Sequence, residues 1–423
     1  MSKKIRSPKS EIQKAQDGQS AVTAHAPTFA GVDFYSLDEL LSPADIALRT
    51  RVRDWVETRF LPIVAEHTAR ATFPLVISRE ISQFGAFGGN IEGYGCAGLS
   101  PLQYGLIMQE LERGDSGLRT FASVQGALAM NSIHLFGSEE QKQKWLPPMA
   151  KGDKLGCFGL TEPDFGSNPA GMVTTARKTD AGYVLNGKKM WIGLGSIADV
   201  AIIWAKVDGE PGVDPASPAA IRGFLVEKGT VGFHAELIEG KLSLRAANTS
   251  KLTFANCVIP AESLLPASRG LKSPLQCLNH ARYGIAWGVL GAAMACYDEA
   301  RAYAARRIQF GKPIASFQLV QRKLALMLTE LTKAQLLAWR LAQLKAAGTA
   351  THVQISMAKR NNVAMALEIA RTTRDILGGV GILDEHQCFR HMANLESVKT
   401  YEGTDDMHLL ILGEAITGLP AFS

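Results

Sequence analysis

The chain has 423 residues, 46% hydrophobic and 20% charged, with a formal net charge of +5. That length exceeds one ordinary hydrophobic core, and the small, dispersed charge speaks against nucleic-acid binding while leaving a phosphate-bearing small ligand open. No apolar run reaches the roughly 18 residues that span a membrane, and the six cysteines (Cys96, Cys157, Cys257, Cys277, Cys296, Cys388) form no C-x-x-C pair, which fits free thiols in a reducing compartment and argues against zinc.

Residues 1–33 mix Lys, Ser, Gln and Ala with Glu11 and Asp17 and lack an apolar h-region. They are expected to form a disordered tail, not a signal peptide. From Phe34 the pattern turns helical: Ser42 precedes Pro43 as an N-cap, and Ile46, Val52, Val56, Phe60, Leu61 and Val64 recur at helical spacing. Further helices are predicted over 74–85, 101–113, 118–136 and 138–149, the last opened by a capping box, Ser138 to Gln141. A glycine-rich loop covers 88–100.

Composition changes after Lys151-Gly152-Asp153. Short alternating runs at 155–160, 173–178, 182–186, 188–192, 200–207, 222–226, 234–237 and 251–255 predict strands, and Asn186-Gly187 reads as a hairpin turn. A small β domain, sandwich or barrel, is expected here. Long helices return over 275–307, 317–347 and 351–377 and predict a bundle. The class is therefore α+β, with domains expected at 34–153 (all-α), 154–266 (β) and 267–423 (four-helix bundle).

Near the end stands Thr400-Tyr401-Glu402-Gly403-Thr404-Asp405-Asp406, a carboxylate on a short turn before an apolar helix. Glycine after Glu402 lets a flat ligand approach the backbone, and Asp405 and Asp406 suit a helix N-terminus. Taken alone, Glu402 also reads as a solvated loop carboxylate.

This order of elements, with Phe158-Gly159-Leu160-Thr161-Glu162-Pro163, Lys189-Met190-Trp191-Ile192, Arg307-Ile308-Gln309-Phe310-Gly311 with Gln318, and Leu377-Gly378-Gly379-Val380-Gly381-Ile382, resembles the acyl-CoA dehydrogenase family of flavoproteins. The likeness covers about 34–422. Within the family, Leu111 to Arg119, Asn279 to Gly288 and Ile411 to Phe422 resemble the glutaryl-CoA dehydrogenases.

The resemblance implies FAD as cofactor, an acyl-CoA substrate, an electron-transfer flavoprotein as acceptor, and a homotetramer. A cytoplasmic location in a bacterium, or the mitochondrial matrix in a eukaryote, follows with it. Glu402 is implied as the base and its amide as a thioester-oxygen donor. Arg119 is implied as the clamp on a distal carboxylate, with Thr120, Glu112, Tyr401, Gly403 and Phe422 around it. The alternative for Arg119 is a structural ion pair with Glu112 or Asp115. Ser167 and Arg282 are implied as CoA contacts. For FAD, the resemblance points to Phe158, Leu160, Thr161, Trp191, Gly193, Thr404 and Asp406, with Arg307, Gln318, Asp375, Gly378 and Gly379 on the diphosphate and adenine side of a neighbouring subunit's cofactor. No metal ligands are expected.

Some positions depart from the pattern. Gly193 stands where the family has Thr, as in plant-type short-chain acyl-CoA oxidases, which lack an arginine at the place of Arg119. Thr120 replaces the Ser usual in glutaryl-CoA dehydrogenases. A decarboxylating glutaryl-CoA dehydrogenase is the expectation; a dehydrogenase or oxidase for another short acyl-CoA is the alternative.

Overall fold

The computed structural model describes residue 29 and residues 31–421, so most of the expected tail and Phe422 lie outside the described residues. Residues from Val32 onward form one compact unit. Its first part is helical: α1 (Pro43–Trp55), α2 (Leu61–Arg70), α3 (Ser78–Ser82), α4 (Pro101–Gly114), α5 (Ser116–Ser123), α6 (Asn131–Phe136) and α7 (Glu139–Ala150). Side-chain caps set the starts. Ser42, Ser100 and Ser138 each accept from the third backbone N–H of the helix they open, while Asp45, Gln103 and Gln141 reach back to the cap. The helix predicted over 118–136 is a longer run from Ser116 to Phe136, with wide π turns at Val124–Met130 between α5 and α6. Only Ser78–Ser82 of the helix predicted over 74–85 is α-helical, after a 3-10 turn at Leu75–Ile77, and Gly85 ends the segment at φ 75°.

The middle part holds β1 (Gly156–Gly159), β2 (Thr175–Thr179), β3 (Gly182–Gly193), β4 (Val200–Asp208), β5 (Ile221–Glu227), β6 (Phe233–Leu237) and β7 (Thr249–Ile259). They form one seven-stranded sheet in which β1 and β2 run parallel to β4 and the other pairs are antiparallel. The Asn186-Gly187 hairpin is overturned: both residues lie inside the continuous strand β3. The pairing with β7 shifts register between Leu185 and Gly187, and a Cβ on Gly187 would sit 2.4 Å from Thr174 Oγ1. Glycine serves there as a bulge with a close backbone approach, at φ 147° and not in the left-handed turn that the dipeptide signals.

The last part contains α8 (Lys272–Arg306), a two-stranded hairpin β8 (Ile308–Gln309) and β9 (Lys312–Pro313), α9 (Gln318–Ala346), α10 (His352–Leu377), α11 (Cys388–Thr400) and α12 (Asp405–Thr417). The sequence pattern did not expose α11. Its buried face mixes Cys388, His391 and Asn394 with Leu395 and Val398, so its apolar stripe is interrupted. Helix α8 packs on both α4 and α10, which brings the N-terminal helices against the C-terminal ones. No helix among the described residues is long and apolar enough to cross a membrane.

Candidate active site

Helix α11 ends at Thr400 and α12 begins behind Thr404, whose side chain accepts from the Met407 amide. Tyr401, Glu402 and Gly403 bridge the two. Glu402 has φ 53° and Gly403 φ 96°. The left-handed region is costly for a residue with a side chain and persists only where the surroundings hold it. Here three consecutive carbonyls are held by buried cations. Lys359 Nζ donates to the Tyr401 oxygen (3.1 Å) and the Gly403 oxygen (2.8 Å), and Arg282 Nε donates to the Glu402 oxygen (2.7 Å). The amide N–H groups of Glu402 and Gly403 have no hydrogen-bond partner among the described residues. Gly403 is needed because a Cβ would lie 2.9 Å from His408 Nε2.

Burial pushes the Glu402 carboxyl above its ordinary range, against the pull of Arg119, Arg282 and Lys359. Its Oε2 is buried and bonded to nothing. Burial likewise lowers Lys359 to about 7, with Glu402 opposing, and His408 to about 3, with Lys359 and Arg282 adding to the effect. A carboxyl with raised proton affinity and an unpartnered oxygen is equipped to exchange a proton with a ligand beside it.

A second cluster adjoins the turn. Arg119 on α5 and Glu112 on α4 are wholly buried, with Arg119 Nε 2.7 Å from Glu112 Oε2. Arg119 Nη2 donates to the Tyr401 hydroxyl, Thr120 Oγ1 stands 3.2 Å from the same hydroxyl, and the guanidinium lies over the Tyr401 ring. Burial raises the Tyr401 phenol to about 12 despite Arg119. The Glu112 pair is thus one of the two alternatives the sequence left open for Arg119. It is not complete: Arg119 Nη1 and Glu112 Oε1 are buried without partners. The pair fits because Gly288 on α8 has no side chain, where a Cβ would lie 2.2 Å from Glu112 Oε2 and 3.1 Å from Arg119 Cγ.

The other expected residues fall into two groups. Phe158 and Leu160 are buried, with Phe158 against Trp204, so only their backbone can meet a ligand. Met190 N donates to the Thr161 oxygen at 2.9 Å, joining this stretch to the end of β3. There Trp191 is 58% exposed at φ 63°, an aromatic face presented from a strained backbone. Gly193 faces Val124, whose Cγ2 would be 3.1 Å from an added Cβ. Arg307 and Gln318 flank the β8–β9 hairpin, Gly378 and Gly379 end α10, and all four are exposed, as are Ser167, Asp375 and Asp406. Asp375 pairs with Lys323, so the start of α9 meets the end of α10. The structure therefore brings together Glu112, Arg119, Thr120, Arg282, Tyr401, Glu402 and Gly403. Arg282, expected as a CoA contact, is buried beneath the turn.

Sequence reasoning missed Lys359 and Lys189 and placed His408 only on a helix face. Lys189 is buried, with its Nζ 2.8 Å from Glu162 Oε1 and 3.0 Å from the Leu160 oxygen. Lys359 carries a weak signal: it lies four residues from Ile355 and from Val363 on the buried stripe of α10, a position that normally takes an apolar side chain.

Known proteins share this fold. Family profiles described as the N-terminal, middle and C-terminal domains of acyl-CoA dehydrogenase match residues 42–153, 157–257 and 268–417. A glutaryl-CoA dehydrogenase from Mycobacterium smegmatis, solved in complex with FADH2, superposes with a TM-score of 0.90 at 49% identity, covering 94% of this chain and 100% of that one. Butyryl-CoA dehydrogenase from Megasphaera elsdenii gives a TM-score of 0.84 at 32% identity over 89% of this chain and 98% of that one. The human mitochondrial short-chain specific acyl-CoA dehydrogenase is 35% identical over 380 residues, 89% of this chain and 91% of the relative. With profiles matched along nearly its whole length and its carboxylate held on a braced turn between two helices, the chain belongs to the acyl-CoA dehydrogenase family of oxidoreductases.

Proposed function

We propose that this enzyme oxidises glutaryl-CoA at Cα–Cβ with FAD and decarboxylates the product to crotonyl-CoA and CO2. The observation that carries the reading is the pairing of two unfilled groups around Tyr401: the buried, unpartnered Oε2 of Glu402 and the buried, unpartnered Nη1 of Arg119. One can take a proton; the other can meet a distal carboxylate.

The residues present fit the cofactor. Trp191 offers an exposed ring, the Phe158–Thr161 stretch offers backbone groups, and Arg307 and Gln318 offer exposed polar heads for a diphosphate and an adenine. The flavin, when bound, supplies the hydride acceptor. Thr404 and Asp406 stand at the start of α12 beside the turn.

In this mechanism Glu402 removes the α-proton while the free Glu402 amide stabilises charge on the thioester oxygen. Arg119 holds the far carboxylate until the Cγ–CO2 bond of the glutaconyl thioester breaks, the electron pair passing into the thioester enolate. Protonated Glu402 then delivers its proton to the γ carbon. Ser167 serves CoA at the surface. The three domains are taken as 34–153, 154–266 and 267–423. An electron-transfer flavoprotein is the acceptor, the assembly is a homotetramer, and the location is bacterial cytoplasm or mitochondrial matrix.

Anaerobic mixing of the holoenzyme with glutaryl-CoA tests this. Flavin bleaching with release of crotonyl-CoA and CO2 is expected, and Glu402→Gln should abolish the bleaching. A second reading, a dehydrogenase or oxidase for another short acyl-CoA, draws on Gly193, which presents no hydroxyl beside the flavin position, and on Glu112, which already occupies one edge of Arg119. Bleaching by butyryl-CoA but not glutaryl-CoA would establish it.

A further inference from the structure

The base-bearing turn is gripped from below by one side chain on both sides of Glu402. Lys359 reaches from the third turn of α10, with 1% of its surface exposed, and donates to the carbonyls of residues 401 and 403. Its partners are 42 and 44 residues away in sequence. Burying an ammonium is costly, and an aliphatic side chain at this core position would avoid that cost. The two carbonyls it satisfies flank the one residue of the turn that has both a side chain and a left-handed backbone.

We propose that Lys359 is a positioning residue: it holds Tyr401 and Gly403 so that Glu402 keeps its left-handed conformation and presents its carboxyl to the substrate. This rests on the reading of Glu402 as the base. Arg282 completes the grip through the Glu402 carbonyl, but a single bond to the central residue leaves rotation about the turn free. The two bonds from Lys359 remove that freedom.

The charged and titratable groups facing Lys359 are Glu402 on the turn, Arg282 on α8, Arg119 on α5, and Asp405 and His408 on α12. His408 is held neutral by burial. Lys359 therefore also lowers the proton affinity of Glu402, against the effect of burial. Removing its charge raises that affinity, so the acid limb of kcat/KM must move to higher pH.

The test uses the full-length holoenzyme with Lys359→Met and Lys359→Arg. Lys359→Met is expected to lower kcat about 100-fold with KM little changed, the scale of a sub-ångström to ångström misplacement. It should move the acid limb upward and speed hydrogen–deuterium exchange in peptides spanning residues 398–405. Lys359→Arg should recover part of each. Where Lys359→Met does not fold, Lys359→Gln, which keeps one donor group without charge, is measured in the same way and should show the same upward move of the acid limb with smaller changes in kcat and exchange. Unchanged exchange overturns the proposal. So does faster exchange with wild-type kcat and pH profile, which would make Lys359 a structural tie only. Failure of the base assignment shows separately, as retained bleaching in Glu402→Gln, and the exchange result on Lys359 stands whichever way that falls.

Discussion

At the scale of single residues, the site is built from charges that the fold keeps out of water. Arg119 and Glu112 are both at zero exposure, and removing one leaves the other an uncompensated buried ion. Arg119→Ala should cost about 3–5 kcal/mol of stability, whereas Arg119→Met with Glu112→Leu should recover much of it. In the double variant, affinity for glutaryl-CoA should fall sharply while butyryl-CoA is little affected; equal losses on both would remove the clamp role. Urea denaturation and flavin titration read the two effects independently. Gly288 sets the space for the same pair. Gly288→Ala should cost about 1–3 kcal/mol through overpacking and weaken dicarboxylic selectivity, since the new methyl would displace Glu112 first.

At the scale of elements, the two halves of the expected flavin surface are fastened by a buried lysine. Lys189 in β3 ties Glu162 and the Leu160 carbonyl, while Glu162 accepts from the Val173 and Thr174 amides. Burial lowers Lys189 to about 8, with Glu162 pushing it back up. Lys189→Met should cost about 3 kcal/mol, and adding Glu162→Gln should restore part of that loss, because it removes the uncompensated buried charge while its one carbonyl oxygen still accepts from one of the two backbone donors. Chemical denaturation of the two variants checks this, and equal stability of single and double variants would contradict it. These elements were largely readable beforehand. Serine caps, glycine punctuation and the three long helices at the C-terminal end act through neighbours in sequence, so their boundaries emerged within a few residues. The exceptions are instructive. Gly187 sits inside a strand because Thr174 approaches it closely, and α11 escaped notice because its buried face includes polar residues such as Asn394, which tertiary partners satisfy: it bonds Asp115 and the Leu244 amide.

At the scale of the whole molecule, acid sensitivity follows from buried neutral histidines. Burial lowers both His280 and His408 to about 3 from an ordinary 6.5. The unfolded chain then binds more protons than the folded one between those values, so stability is lost as pH falls from about 6.5 toward 3. Calorimetry should show Tm falling over that range, with a shallower fall for His280→Gln; an identical slope would contradict the assignment. Phe310 in the turn of the β8–β9 hairpin and Leu319 next to it, 92% and 74% accessible, suit subunit contacts in the proposed tetramer.

By itself the sequence determined the order of helices, sheet and helices, and the turn that carries Glu402, because caps, periodicity and turn residues are local physics. It also showed Arg119 as a charge among apolar neighbours, without saying what meets it. Only the tertiary structure decided that Glu112 takes one edge of that guanidinium, that Arg282 lies beneath the turn, and that Lys359 braces it. The grip on the turn depends on bonds between residues 42 to 120 positions apart, and the Arg119 pair, only 7 apart, on which side chains lose their water; neither is written in the spacing of neighbours.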